Sequence, residues 1–201
     1  MTAFEPMDPD DLLDLIFRDA KRAHARGRGL SRRLYQTWQA GEIAGDDLRQ
    51  ALAVVWFEAL YPLSWLALDQ WRQLYDAAGF IVDGRAAPPC DRPVTLYRGV
   101  GMSRTTRRLA AKHTRGEIRS PEYGWSWTSS PADARFFADG LAQAAHDATP
   151  CVYQVTAQPS AILARYRTNS EYVVDTRQLD TPPEQIELPA TTLRIPARIP
   201  R

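Results

Sequence analysis

The chain has little of the two residue types that build covalent or metal-based frameworks. Its 201 residues include two cysteines, Cys90 and Cys151, which lie far apart in the sequence. Two such cysteines cannot form the disulfide network of a small secreted scaffold. The three histidines, His24, His113 and His146, show no ligand-type spacing with either cysteine, which excludes a cysteine-rich zinc module. The sequence therefore predicts no metal site.

The sequence also lacks an excess of one charge. It has 25 basic and 24 acidic residues, a formal net charge of +1, and 44% hydrophobic residues. A chain with this apolar content and so little net charge is not expected to be disordered. The length fits one domain of ordinary size, or two small units that share a core.

A basic leader and an uninterrupted apolar run are missing as well. The first 16 residues carry five acidic groups and no basic one, unlike a secretory signal. The most apolar stretch, residues 51–68, has the length of a membrane span, but Glu58, Pro62 and Ser64 interrupt it. We therefore expect a pair of buried helices there, no membrane partner and a cytoplasmic protein.

Hydrophobic periodicity divides the chain into a helical first part and a mixed second part. Apolar residues recur at helical spacing in four stretches before residue 80, and the tryptophans at 38, 56, 65 and 71 are assigned to their core with no chemical role. A proline-rich segment, residues 84–93, follows. Beyond it, strand-like runs alternate with helices whose starts are marked by Ser103 and Ser130. We expect an α+β protein with a helical N-terminal unit at residues 1–88 and a second domain at residues 89–201.

Three short segments of the second domain carry candidate functional side chains. Arg98 ends a strand-like run and is followed by Gly99. Ser126 and Thr128 lie two residues apart in a strand-like run, so their side chains share one face. Glu171 stands at a turn before an apolar run. Each segment alone is weakly specific, because surface arginines, strand hydroxyls and solvated turn glutamates are common.

In this order and spacing, the three segments resemble the ADP-ribosyltransferases of the Arg–Ser–Glu type, the cholera- and clostridial-toxin-like class. About 28 residues separate Arg98 from Ser126 and about 45 separate Ser126 from Glu171, and the run ARFFA follows the serine strand. The resemblance covers roughly residues 89–201. It implies a split two-sheet β core with peripheral helices.

The resemblance also implies an activity. The protein would be a mono-ADP-ribosyltransferase that takes NAD as a substrate, transfers ADP-ribose to a macromolecular acceptor and releases nicotinamide, with no bound cofactor. Proteins of this class include bacterial and phage toxins and effectors, which agrees with a location in the cytoplasm of a bacterium or of a phage-infected host.

Residue roles follow from the same resemblance. The Arg98 guanidinium would make charge-assisted contacts to the pyrophosphate of NAD, and the Gly99 backbone would hold the nicotinamide carboxamide. The Glu171 carboxylate would stabilise the positive charge that develops on the ribose ring, and Ser126, helped by Thr128, would orient it. The aromatic side chains that could stack on nicotinamide are Tyr97, Trp127, Phe136 and Phe137.

Position 169 leaves the acceptor open. Family members that modify protein arginine usually carry a second glutamate two residues before the catalytic one, whereas this chain has Asn169, the candidate acceptor-side residue. An amide is not a general base at neutral pH. This favours an acceptor other than arginine, or water, which would make the protein an NAD glycohydrolase. A further hypothesis is a catalytically silent module that binds a protein through the helical N-terminal unit or a nucleic acid through a run of basic side chains. These are Arg104, Arg107, Arg108, Lys112, Arg115 and Arg119, although such a run is also typical of a solvated helix face.

Overall fold

A computed structural model describes residues 29–58, 63, 66–114, 116–118, 120–144, 147–167 and 170–188. The helix expected near residue 12, the helix break at Pro62 and the acceptor-side candidate Asn169 lie outside these residues. Within the described part of the chain, no helix is both long enough and apolar enough to cross a membrane.

Among the described residues, three α-helices precede the sheet, as the periodicity predicts. They are α1 at Leu30–Gln39, α2 at Gly45–Glu58 and α3 at Leu68–Ala78. The first turn of α2 carries Asp46 and Asp47, where a negative charge suits the positive end of the helix dipole. Gly79 ends α3 with a φ of 71°, a conformation that glycine adopts without strain.

The second part of the chain supplies two more helices and most of the strands. Helix α4 spans Arg104–His113 and α5 spans Pro131–Ala144. The strands are β1 at Ile81–Val82, β2 at Arg85–Ala86, β3 at Val94–Met102, β4 at Ser126–Thr128, β5 at Thr149–Ala157, β6 at Ile162–Tyr166, β7 at Glu171–Val174 and β8 at Glu184–Ile186. The expected α+β class is therefore confirmed.

The described strands form one sheet rather than the two that the resemblance predicts, which corrects that expectation. Their order is β2-β1-β6-β7-β4-β3-β5-β8. Strand β3 pairs with β5 along its whole length, from Val94 to Met102, but it meets β4 only at the pair Tyr97–Thr128. The two halves of the sheet are thus joined by a single residue pair between β3 and β4.

One face of this sheet carries the side chains of Tyr97, Thr128 and Glu171. The register sets Thr128 opposite Tyr97 on one side and opposite Glu171 on the other, so the three side chains project from the same face. Val173, two residues beyond Glu171, belongs to the core that helices α1–α3 form with β6 and β7. The boundary predicted at residue 88 stays a prediction, and the residues on its two sides share this core.

Helix α5 covers the other half of the same face. Ala134 and Ala138 are fully buried and pack with Val152 of β5. The approach is close because β3 carries a glycine below the helix: a Cβ at Gly99 would lie 1.8 Å from the Ala134 carbonyl oxygen. Helices α1–α3 and helix α5 therefore lie over different halves of one face.

Candidate active site

A cleft of about 460 Å³ opens beside α5, within the usual range for small-molecule sites. Its lining contains most of the side chains that the sequence singled out, together with one leucine of α5: Tyr97, Arg98, Gly99, Ser126, Trp127, Thr128, Phe137, Leu141 and Glu171. The three residues that carry the Arg–Ser–Glu resemblance therefore meet in one crevice.

Glu171 begins β7 and receives two hydrogen bonds on one carboxylate oxygen. The Ser126 hydroxyl donates to Oε1 at 2.6 Å, and the Trp56 indole N–H donates to the same atom at 2.9 Å. None of the described residues donates to Oε2. The residue before Glu171, Ser170, has a φ of 49°, in the left-handed region that few non-glycine residues adopt. The turn expected at this position is thus present, and it aims a half-buried carboxylate at the cleft.

Ser126 and Thr128 share a face of β4 as predicted, but their hydroxyls have different partners. The exposed Ser126 side chain reaches Glu171 directly. The buried Thr128 hydroxyl accepts a hydrogen bond from the backbone N–H of Ser130 at 3.1 Å. Ser130 in turn accepts from the backbone N–H of Asp133 at the start of α5. Thr128 therefore holds the turn that leads into α5, and Ser126 is the hydroxyl that orients Glu171.

Arg98 fills the gap where β3 and β4 diverge. Its Nε donates to the carbonyl oxygen of Pro121 at 2.9 Å, and Nη1 donates to the carbonyl oxygen of Ser126. Burial lowers the pKa of the guanidinium to about 10, and the nearby negative charges of Glu171 and Glu122 act against that shift. Arg98 therefore keeps its charge at neutral pH, fixes the segment before β4 and places a cation in the cleft wall.

Gly99 has a packing role that the sequence did not reveal. Besides its close approach to Ala134, an added Cβ would lie 2.7 Å from the backbone nitrogen of Ala138. Both obstructing atoms are backbone, so a side chain could be accommodated only if α5 moved. The predicted contact of the Gly99 backbone with a nicotinamide carboxamide stays a prediction.

Trp127 lies in the core, contrary to the expectation of a stacking role. Its side chain is 1% exposed and belongs to a cluster on the opposite face of the sheet, with Tyr172 and Val174. Its indole N–H donates to the carbonyl oxygen of Gly124 at 2.7 Å. Adjacent residues of a strand point to opposite faces, so the residue between Ser126 and Thr128 must turn away from them. Although Trp127 is among the residues that line the cleft, almost none of its surface is exposed.

Of the three remaining aromatic candidates, two line the cleft and one does not. Tyr97 and Phe137 line the cleft, Tyr97 from the sheet and Phe137 from α5. Phe136 is 61% exposed but does not line the cleft, because it lies on another side of α5. Phe137 is 54% exposed and Leu141, one helical turn further on, is 48% exposed. These two side chains form an apolar rim beside the carboxylate.

The core position predicted for Trp56 is confirmed, but the sequence did not reveal its hydrogen bond to Glu171. Its side chain is 5% exposed in the core that α2 helps to build, and its ring meets those of Trp71 and Tyr75 edge-on at centroid distances of 5.7 and 6.4 Å. It lies 115 residues before Glu171, its hydrogen-bond partner. A tryptophan on the apolar stripe of a helix gives no signal that distinguishes a polar contact from core packing.

Two tyrosines lie behind the carboxylate. Tyr166 is the register partner of Glu171 on β6, and Tyr75 comes from α3. Both are 1% exposed, and their hydroxyl oxygens are buried. Burial raises the pKa of both phenols above the ordinary value, and the charge of Glu171 adds to this. The surroundings of Glu171 on this side are therefore aromatic and uncharged at neutral pH.

The described residues contain no cluster of three or more His, Cys, Asp or Glu side chains that could hold a metal ion. No protein-family model matches the chain, and neither curated proteins nor solved structures are significantly similar to it.

Proposed function

We propose that the protein is a mono-ADP-ribosyltransferase of the Arg–Ser–Glu type, acting in the cytoplasm of a bacterium or of a phage-infected host. The observation that carries the proposal is the 2.6 Å hydrogen bond from the Ser126 hydroxyl to Glu171, in a cleft whose wall also contains Arg98. A guanidinium, a hydroxyl and a carboxylate from three distant segments are the groups to which the resemblance assigns NAD binding and cleavage. Their convergence is what the resemblance predicts.

The chemistry assigned to Glu171 is electrostatic. Heterolysis of the bond between the nicotinamide nitrogen and ribose C1′ leaves both electrons on nicotinamide, which departs as a neutral molecule. Positive charge then develops on the ribose ring. The Glu171 carboxylate stabilises this charge, and Oε2 is the oxygen available to accept a hydrogen bond from the ribose 2′-hydroxyl. A nucleophile of the acceptor forms the new bond to C1′ and loses a proton.

Ser126 and Arg98 act before the bond breaks. The Ser126 hydroxyl holds the carboxylate in one orientation, so little rearrangement is needed in the transition state. The charged guanidinium of Arg98 attracts the pyrophosphate, although Nε and Nη1 already bond to backbone carbonyl oxygens. Its remaining N–H groups are the ones assigned to the dinucleotide. Phe137 and Tyr97 offer ring surface to the nicotinamide or to the ribose.

The test uses NAD labelled separately in its nicotinamide and adenylate parts. The wild-type protein, incubated with cell extract, should release labelled nicotinamide and transfer the adenylate label to a macromolecule. Glu171→Gln should remove both signals, and Ser126→Ala should slow release by roughly 100-fold, the order expected for a preorganised electrostatic contact. Glu184→Gln is the matched control, since Glu184 is an exposed carboxylate on β8. Equal activity of Glu171→Gln and wild type, or no release at all, would refute the proposal.

An NAD glycohydrolase is the second candidate, and the amide at position 169 favours it. Asn169 stands where arginine-modifying family members usually carry a glutamate. Water would then attack C1′ in place of a macromolecule. Nicotinamide release at full rate from purified protein, with no acceptor present, supports the glycohydrolase; dependence on added extract supports the transferase.

A further inference from the structure

We propose that Trp56 is a positioning residue for the Glu171 carboxylate, so that helix α2 sets the orientation of the group that stabilises the ribose cation. This assignment rests on the proposed function and adds to it a residue from outside the segments that carry the resemblance. The contact is the 2.9 Å hydrogen bond from the Trp56 indole N–H to Glu171 Oε1.

The two donors to Oε1 come from independent parts of the fold. Ser126 reaches the oxygen from the neighbouring strand β4, and Trp56 reaches it from α2. A single donor restrains only the distance to one oxygen, since the carboxylate can still rotate about its terminal torsion. Two donors that reach the same oxygen from separate elements also fix which oxygen faces the protein. Oε2 is thereby kept for the substrate.

Trp56 is a rigid donor because its surroundings are packed. Its indole is buried and makes T-shaped ring contacts with Trp71 and Tyr75, which hold it in place. The N–H therefore cannot follow the carboxylate if Glu171 changes rotamer. A hydrogen bond to a charged group in such a setting is stronger than one between neutral groups. The geometry favours one orientation of Glu171 over the alternatives.

The kinetic test compares two matched substitutions, Trp56→Phe and Trp125→Phe. Both remove an indole from the same core cluster, but the buried Trp125 N–H has no hydrogen-bond partner among the described residues. Trp56→Phe should lower kcat for nicotinamide release by about 10- to 100-fold, the range expected for a lost hydrogen bond to a charged group. The KM for NAD should change by less than about threefold, because the lost contact is to Glu171 and not to the substrate. Thermal unfolding of both variants checks that the core is intact.

A spectroscopic test follows the hydrogen bond itself. In a ¹H–¹⁵N spectrum of the full-length protein, the indole signal that disappears in Trp56→Phe belongs to Trp56. Replacing the charged acceptor in Glu171→Gln should move this signal, while the Trp125 indole signal stays in place. A Trp56 signal that does not move would overturn the assignment, whatever the kinetics of the variants show.

The outcomes separate this assignment from the proposed function. If the wild type releases nicotinamide and Trp56→Phe has the kcat of Trp125→Phe, the role of Trp56 is refuted and the transferase survives. If the wild type releases no nicotinamide, both are refuted. A selective fall in kcat together with the moved indole signal supports the assignment.

Discussion

Gly124 leaves the space that the Arg98 guanidinium occupies. A Cβ at Gly124 would lie 2.2 Å from Nη2 and 2.6 Å from Cζ of Arg98. The guanidinium cannot simply swing aside, because it also donates to the carbonyl oxygens of Pro121 and Ser126. The absence of a side chain at Gly124 therefore allows the Arg98 guanidinium to occupy its place in the cleft wall.

Gly124→Ala should displace the Arg98 guanidinium without unfolding the protein. The obstructing atoms belong to the end of a long side chain, which can move only by giving up its hydrogen bonds to Pro121 and Ser126, so we expect the free energy of unfolding to fall by about 1–3 kcal/mol. The KM for NAD should rise about tenfold, because the pyrophosphate loses a positioned charge-assisted contact. Chemical denaturation and nicotinamide-release kinetics measure the two effects. An unchanged KM would show that Arg98 need not occupy its present place for NAD to bind.

Gly99→Ala should destabilise the fold strongly. The new Cβ would meet the Ala134 carbonyl oxygen and the Ala138 nitrogen, and neither backbone atom can move without shifting α5. We expect a loss of about 3 kcal/mol or more in the free energy of unfolding, measured by denaturant titration. Gly140→Ala, on α5 itself, is the control, because no atom lies within 4 Å of a Cβ at that position. Equal stability of the two variants would contradict the close packing of α5 on β3.

Phe136 and Phe137 form a matched pair of neighbours on α5. Both rings are exposed, but only Phe137 lines the cleft. Phe137→Ala should raise the KM for NAD roughly threefold to tenfold through the loss of an aromatic contact, whereas Phe136→Ala should leave it unchanged. Steady-state kinetics of the two variants provide the comparison. A larger effect at Phe136 would mean that the substrate lies on another side of the helix.

Asp83 supplies a pH-dependent contribution to stability near the turn that precedes Glu171. It accepts hydrogen bonds from the Arg167 backbone N–H at 2.8 Å and from the Arg167 Nε at 2.6 Å. Burial raises the pKa of this carboxyl, but those hydrogen bonds and the charges of Arg167 and Arg165 outweigh burial and hold the pKa below its ordinary value of 3.8. The folded state therefore prefers the ionised form.

Asp83 therefore contributes less to stability as the pH falls. The stabilisation is complete above the carboxyl's ordinary value and is lost as the pH falls through the lower value of the folded state. Asp83→Asn keeps the shape and tolerates the φ of 50° at this position. It should cost less than about 1 kcal/mol at neutral pH, because the pair is largely exposed, and the difference from wild type should vanish at strongly acidic pH. A constant difference across the acid range in denaturant titrations would contradict this.

Local signals explain which parts of the fold the sequence predicts. The Ser103 hydroxyl accepts a hydrogen bond from the Thr106 backbone N–H at the start of α4, and Ser130 does the same for Asp133 in α5. Such caps depend only on residues three apart, so they can be recognised without knowing the rest of the structure. The alternation that placed Ser126 and Thr128 on one face also contained the signal that turns Trp127 away from them.

Long-range contacts explain what sequence analysis did not find. The bond between Trp56 and Glu171 and the single pair that joins β3 to β4 depend on how separate segments meet, which no local pattern encodes. The close approach of α5 to Gly99 is of the same kind, because a glycine after a strand is compatible with a turn, a ligand contact or helix packing. The three candidate residues could be predicted because their order is similar to that of a known class. The residues that support them could not.

The chain separation between Trp56 and Glu171 has a consequence for biosynthesis. A ribosome delivers α2 long before β7, and 115 residues lie between the two partners. The Trp56 indole therefore has no carboxylate partner until residue 171 has been synthesised. On our proposal, a nascent or prematurely terminated chain that stops before residue 171 has no activity, because it lacks the Glu171 carboxylate.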